Sequence, residues 1–229
     1  MPSFLRHPLI ILKYRYYYTN KGFTLVELLA VIAIIAVLAA VIAPLGKGLV
    51  TRSRAINCNQ NLRQIGMAAM MYAGDNQMTL PQSTHQSVPK SWRVTLQPYA
   101  SGTITFKCRE DPDKARGNTY VLNDYLTKAP SGAPPDLNYS ILARIERPEA
   151  TLMFAEASIS FLNSDHFHFA QYYGQRVSPA VFESQVGVRF HGEKANYLFA
   201  DGHAETLARS EVKVLLRTPG TRFLNPAGL

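Results

Sequence analysis

The chain has 229 residues and a formal net charge of +8, a length that suits one soluble domain beside an anchoring segment. Four of the basic residues, Arg6, Lys13, Arg15 and Lys21, fall in the first 22 positions, which hold no acid. Without them the remainder carries +4, so the high charge is partly a sign of membrane topology rather than a nucleic-acid footprint.

From Phe23 to Leu45 only Glu27 is ionisable, and the rest is mostly Leu, Val, Ile and Ala. As a helix these positions span about 34 Å, enough to cross a hydrocarbon layer of roughly 30 Å. The basic flank places residues 1–22 on the cytoplasmic side and everything after Pro44 outside. Glu27 within such a span costs on the order of a few kcal/mol and asks for a partner. Beside Lys21 it can snorkel. If the chain is cut between Gly22 and Phe23, the new α-amine can pair with it, in the same chain or in a neighbour. An ordinary signal anchor, a secretory signal cleaved after Val41-Ile42-Ala43 and a buried core helix all compete. None of them accounts for Gly22-Phe23 and Glu27 together.

Lys21-Gly22-Phe23-Thr24-Leu25-Val26-Glu27 and the apolar run behind it resemble the processing motif of the type IV pilin and pseudopilin family. The resemblance implies that a prepilin peptidase cuts after Gly22 and methylates the amine of Phe23. It implies pairing of that amine with Glu27 during assembly, and a helix-kinking role for Pro44. Pro44 removes the hydrogen bond to Ala40, and Gly46 and Gly48 add freedom, so a kink or local melting is expected there.

Beyond this point Ala55, Cys58, Leu62, Ile65, Ala69 and Tyr72 recur at spacings of three and four, the face of an amphipathic helix. Gly74-Asp75-Asn76 ends it and Pro81 follows. One spine helix is thus expected from Phe23 to about Ala73. Cys58 lies on its apolar face and Cys108 in the loops beyond. A disulfide between them is the favoured reading, with two buried thiols or a metal pair as alternatives. Ser91 is expected to cap a short helix through Leu96. Strands are expected at Ile104–Cys108, Asn118–Leu122, Asn138–Leu142, Thr151–Ala155 and Val186–Phe190, with a Pro/Gly-rich turn at Pro130–Pro135. Asn196–Ala200 and His203–Leu207 flank Asp201-Gly202, the signal of a type I′ hairpin. Ser210 is expected to cap a terminal helix, Glu211–Leu216.

His191, Asp201, His203, Glu156 and Asp165-His166-Phe167-His168 invite a metal or acid–base reading. On a strand His166 and His168 share a side, so a two-His site is possible. Asp201 is explained equally well by its turn and His203 by a solvent-facing strand. The chain has no G-x-S-x-G, H-E-x-x-H or P-loop motif. His191, nine residues and then Asp201-Gly202 resemble the signature of a pilin-like subgroup associated with prepilin processing. Cys58–Gly66, Tyr72–Asn76 and the Cys108 segment look similar as well, although Arg109 stands where that subgroup usually has proline. Tyr72–Asn76 also resembles the major pseudopilin of type II secretion, whose loop can bind calcium. Asp75 is the only acid nearby, so the calcium site is not carried over.

The expected organisation is a cleaved leader (1–22), a membrane and filament-core helix (23–45), its amphipathic continuation (46–76) and a periplasmic head (77–229). The expected fold class is α+β, a long spine helix packed on a small antiparallel sheet. The expected function is a structural subunit of a type II secretion pseudopilus or type IV pilus, not an enzyme, with no cofactor or metal. It would lie in the inner membrane with its head in the periplasm. Its implied partners are prepilin peptidase, other pilin or pseudopilin subunits, an assembly platform and ATPase, and lipid before assembly, with no nucleic acid. The alternatives are a minor adhesin or DNA-uptake subunit, an anchored protein that is not assembled, and a tethered enzyme using the histidines.

Overall fold

A computed structural model describes residues 22–84, 90–100, 102, 104–128, 138–161, 164–169 and 174–228, with backbone only for 43–49 and 51. The leader before Gly22 and the expected turn at Pro130–Pro135 lie outside the described residues. The chain divides into two units, Met1–Gly46 and Lys47–Leu229. Helix α1, Leu25–Asp75, belongs to both. Its helical assignment runs unbroken through Pro44, so the expected melting is not found; a bend of the axis there stays an expectation.

In the first unit thirteen large apolar side chains between Phe23 and Ile42 are exposed. At about 1.5 kcal/mol each, leaving them in water would cost on the order of 20 kcal/mol, more than the net stability of a typical domain. The segment Leu25–Ile42 is long and apolar enough to cross a membrane. It needs lipid or other helices around it.

The second unit is α+β. Its sheet has the order β3-β1-β2-β4-β5, built from β1 (Tyr120–Asn123), β2 (Leu152–Glu156), β3 (His166–Phe167), β4 (Lys194–Phe199) and β5 (Ala204–Ala208). Pairing is antiparallel from β1 through β5. The two-residue β3 joins the edge in parallel, Leu122 opposite His166 and Asn123 opposite Phe167. The sheet is therefore mixed at that edge, not wholly antiparallel.

Both faces of the sheet are covered. Cys58, Leu62, Ile65, Ala68 and Ala69 of α1 pack with Trp92, Leu122, Phe154 and Leu198 on one side. Gly66 makes the approach close, because a Cβ there would lie 2.8 Å from Leu198 Cδ1. On the other side Val121, Ala155, Tyr197 and Phe199 meet Phe167, Phe182, Val212, Leu216 and Phe223. Along β4 the alternation is regular. In β2 the register shifts between Leu152 and Phe154, so Met153 and Phe154 both serve the α1 side while Leu152 and Ala155 serve the other. That is what an extra residue in one strand does.

Several expectations are corrected. Val186–Phe190 is not a strand: α3 (Pro179–Gln185) precedes it, Val186 makes a single bridge to Ala157, and 188–190 turn. Ser178 caps α3 by accepting from the Val181 N–H, with Pro179 at the first helical position, the Ser-Pro start signal of a helix. Ile104–Cys108 is coil. Asn138–Leu142 is a turn with one bridge, Ile141 to Thr79. The helix α2, Trp92–Leu96, has its Ser91 cap as expected. The terminal helix α4, Arg209–Arg217, begins one residue before Ser210, and its start is held by the Ala208 N–H donating to Glu211 Oε2 at 2.6 Å.

The hairpin turn differs in type. Gly202 N–H donates to Phe199 O at 2.9 Å, and Phe199 N–H to His203 O at 2.9 Å. Only Gly202 takes a positive φ, +90°. Ala200 and Asp201 therefore form an ordinary turn followed by a left-handed glycine, the longer hairpin loop and not type I′.

Candidate functional site

The N-terminal site is built by helix capping. Gly22, Phe23 and Thr24 precede the helix and are exposed. The Thr24 N–H and hydroxyl both donate to Glu27 Oε2, at 2.9 and 2.8 Å, and the Glu27 N–H donates back to Thr24 Oγ1 at 3.3 Å. This is a capping box, satisfying donors that the first helical turn leaves open. The Gly22–Phe23 peptide bond thus sits just ahead of a fixed helix start. A Cβ on Gly22 would meet nothing within 4 Å among the described residues, so their packing does not require glycine there. A requirement for it would come from whatever binds the bond.

In the second unit Cys58 and Cys108 form a disulfide with Cα atoms 5.2 Å apart, both fully buried. Closing about 50 residues contributes roughly 4 kcal/mol in the chain-entropy account. It ties α1 to the loop ahead of β1, where the Cys108 N–H donates to Thr119 Oγ1 at 3.1 Å. That loop is knit by charge. Asp111 accepts from Thr119 Oγ1 at 2.6 Å and lies 3.6 Å from Arg116, while Lys107 and Lys114 ammoniums bond its carbonyls.

His191 lies against the disulfide. Its Nε2 is 2.8 Å from Glu156 Oε1 and 3.8 Å from Cys108 Sγ. Glu156 ends β2 fully buried, and its other oxygen accepts from the Asn196 N–H at 3.0 Å. Asn196 continues the network to α1 by donating to the Ala55 carbonyl at 3.2 Å, and Thr206 Oγ1 donates to Asn196 Oδ1 at 2.7 Å. The pairing of His191 with Glu156 crosses 35 residues and has no short motif. A buried glutamate closing an apolar strand, Leu-Met-Phe-Ala-Glu, was the signal that it needed a partner.

His191 and Asp201-Gly202 are not brought together. They flank the six residues of β4, about 20 Å of strand. His191 anchors one end and Gly202 makes the turn at the other. Asp201 Oδ1 accepts from the His203 N–H at 3.0 Å and meets His203 Nδ1 at 2.6 Å, while the His203 ring stacks on Phe199. The spacing therefore spells a strand with its two ends, not a catalytic pair.

Asp165 is buried and gathers the Thr84 N–H and hydroxyl at 3.1 and 2.9 Å, Ser91 Oγ at 2.6 Å and His166 Nδ1 at 2.8 Å. Burial alone would raise its pKa; the hydrogen bonds from His166, Ser91 and Thr84 outweigh that and hold it at about 2. The His166 and His168 rings are neighbours, with centroids 4.4 Å apart. His166 is turned to Asp165, so the two do not present a ready pair of ligands. Among the basic residues of α1, Arg54 pairs with Glu110 at 2.9 Å and Arg63 donates to the Ala204 carbonyl at 3.5 Å, roles within the head.

Residues 18–43 match the family model described as the prokaryotic N-terminal methylation motif. The match spans the Gly22–Phe23 bond, the capping box and the exposed apolar helix, and it marks a prepilin-like N-terminus. Comparison with curated proteins and with solved structures found no match.

Proposed function

We propose that the chain is a pilin-like structural subunit, cut by prepilin peptidase after Gly22, methylated on Phe23 and assembled into a type II secretion pseudopilus or a type IV pilus. The carrying observation is the methylation motif running directly into thirteen exposed apolar side chains. Before processing these lie in the inner membrane, with the head in the periplasm. After processing, helices of neighbouring subunits cover them, driven by an assembly ATPase and its membrane platform. Glu27 gives register. In the uncut chain its carboxylate caps Thr24; once the chain is cut, the amine of Phe23 adds a mobile charge beside that cap, and the glutamate can bridge to the amine of an adjacent copy.

Filament assembly with Glu27→Ala tests the reading. The variant is expected to be processed and to yield no sheared filaments. Normal filaments from it would overturn the pairing. The one local group of cationic residues, Arg52, Arg54 and Arg63, lies on α1, and two of the three bind within the head, which supports a structural subunit over a DNA-uptake one.

A further inference from the structure

We propose that the head, before its cysteines are oxidised, holds a thiophilic divalent cation such as Zn²⁺ between Cys58, Cys108, Glu156 and His191. This goes beyond the filament reading and does not depend on it. One ligand atom from each of the four residues lies within 4.8 Å of the others, and all four residues are buried. Two thiolates, an imidazole and a carboxylate are a donor set for tetrahedral zinc. The separation of Cys108 Sγ from His191 Nε2 is 3.8 Å, close to the ~3.6 Å that zinc–sulfur and zinc–nitrogen bonds of ordinary length subtend at a tetrahedral ion.

The histidine argues for more than packing. A buried histidine that serves only to bridge hydrogen bonds uses both ring nitrogens. Here Nε2 faces the carboxylate and the sulfur, while Nδ1 is buried with no hydrogen-bond partner among the described residues. The ring therefore presents Nε2, and not Nδ1, to Glu156 and to Cys108 Sγ. Glu156 is held in place from its far oxygen by the Asn196 N–H, an outer-shell contact of the kind that orients metal ligands. The cluster also has a way in. His191 lines an open groove with Asn59, Gln60 and Lys194, and Cys108 lines a second with Arg54 and Lys107. The second is lined by Arg54, Lys107, Arg109 and Lys114, and the first carries Arg52, Arg63 and Lys194 beside Glu205, so the ligands themselves, and not the surrounding field, must draw the ion.

Binding displaces two protons, one from each thiol, and shifts the proton that His191 Nε2 shares with Glu156 to His191 Nδ1. Oxidation by a disulfide-bearing partner passes two electrons from the thiolates to that partner, which takes up two protons and leaves as a dithiol. The Cys58–Cys108 bond forms and the ion is released, with His191 Nε2 returning its proton-mediated contact to Glu156.

Cobalt(II) substitutes for zinc as a coloured probe. Full-length chain in detergent is reduced with a phosphine, which becomes its oxide as water supplies the oxygen, and is titrated with Co²⁺ alone. One equivalent is expected to bind, with intense thiolate-to-cobalt bands in the near ultraviolet and visible bands of a tetrahedral ion. The oxidised chain is expected to show neither. His191→Ala and Glu156→Gln should each weaken binding on the order of 100-fold, since loss even of outer-shell contacts costs 10–100-fold. If a variant does not fold, the wild-type cobalt form still decides, because a coordinated imidazole gives a paramagnetically shifted ring N–H signal. No stoichiometric tetrahedral spectrum in the reduced wild type, or an unchanged spectrum and affinity in folded His191→Ala, would overturn the proposal.

Discussion

Asp165 is the residue on which most side-chain hydrogen bonds of one corner of the head converge, and its acidity makes that dependence measurable. An unfolded aspartate titrates near 3.8, whereas here it titrates at about 2. The folded state therefore binds fewer protons between these values. The resulting stability, about 2 kcal/mol, is fully present above pH 3.8 and is lost as pH falls through 2. Asp165→Asn should lower stability by about that much at pH 7, and the deficit against the wild type should shrink at pH 2.5. Urea unfolding at the two pH values measures both. A constant deficit would mean that packing around Ser91 and Thr84, not charge, is what the substitution disturbs. Gly66 makes a second residue-scale case. Its missing Cβ lets α1 come within reach of Leu198, so Gly66→Val should cost about 1–3 kcal/mol through overpacking, read as a shift in the urea midpoint.

Among the elements, α1 and the β4–β5 hairpin were legible because periodicity and turn residues speak directly. The three-and-four spacing from Ala55 to Tyr72 placed Cys58 on the buried face, and the disulfide to Cys108 follows it. Removing that link with Cys58→Ser should cost 2–4 kcal/mol, visible as a lowered thermal midpoint that reductant does not lower further. The turn differs from type I′ because Asp-Gly permits two hairpin geometries, and the pairing of Phe199 with His203 selects the longer one. Val186–Phe190 looked like a strand by composition alone. Its neighbour α3 has a Ser-Pro start and buries Phe182, and that tertiary choice overrides the local β preference. Edge strand β3 has only two residues, too few for any period to show. The second core, behind the sheet, is assembled from Phe167, Phe182, Val212 and Phe223, which no single stretch of sequence groups.

For the molecule as a whole, the legible part of the function was the N-terminal motif, where seven contiguous residues and the run behind them must agree. The His191–Glu156 contact was not legible, because strand pairing and not spacing brings those residues together. The proposed function requires that the bond between Gly22 and Phe23 be cut and that the chain then join a filament. Gly22 packs against none of the described residues, so Gly22→Leu should leave the head folded and block maturation. The most direct measurement is the intact mass and N-terminal residue of the protein taken from its native membrane. A chain beginning at N-methylated Phe23 is the predicted result. A chain still beginning at Met1 in a host with active prepilin peptidase, or one beginning at Pro44, would contradict it.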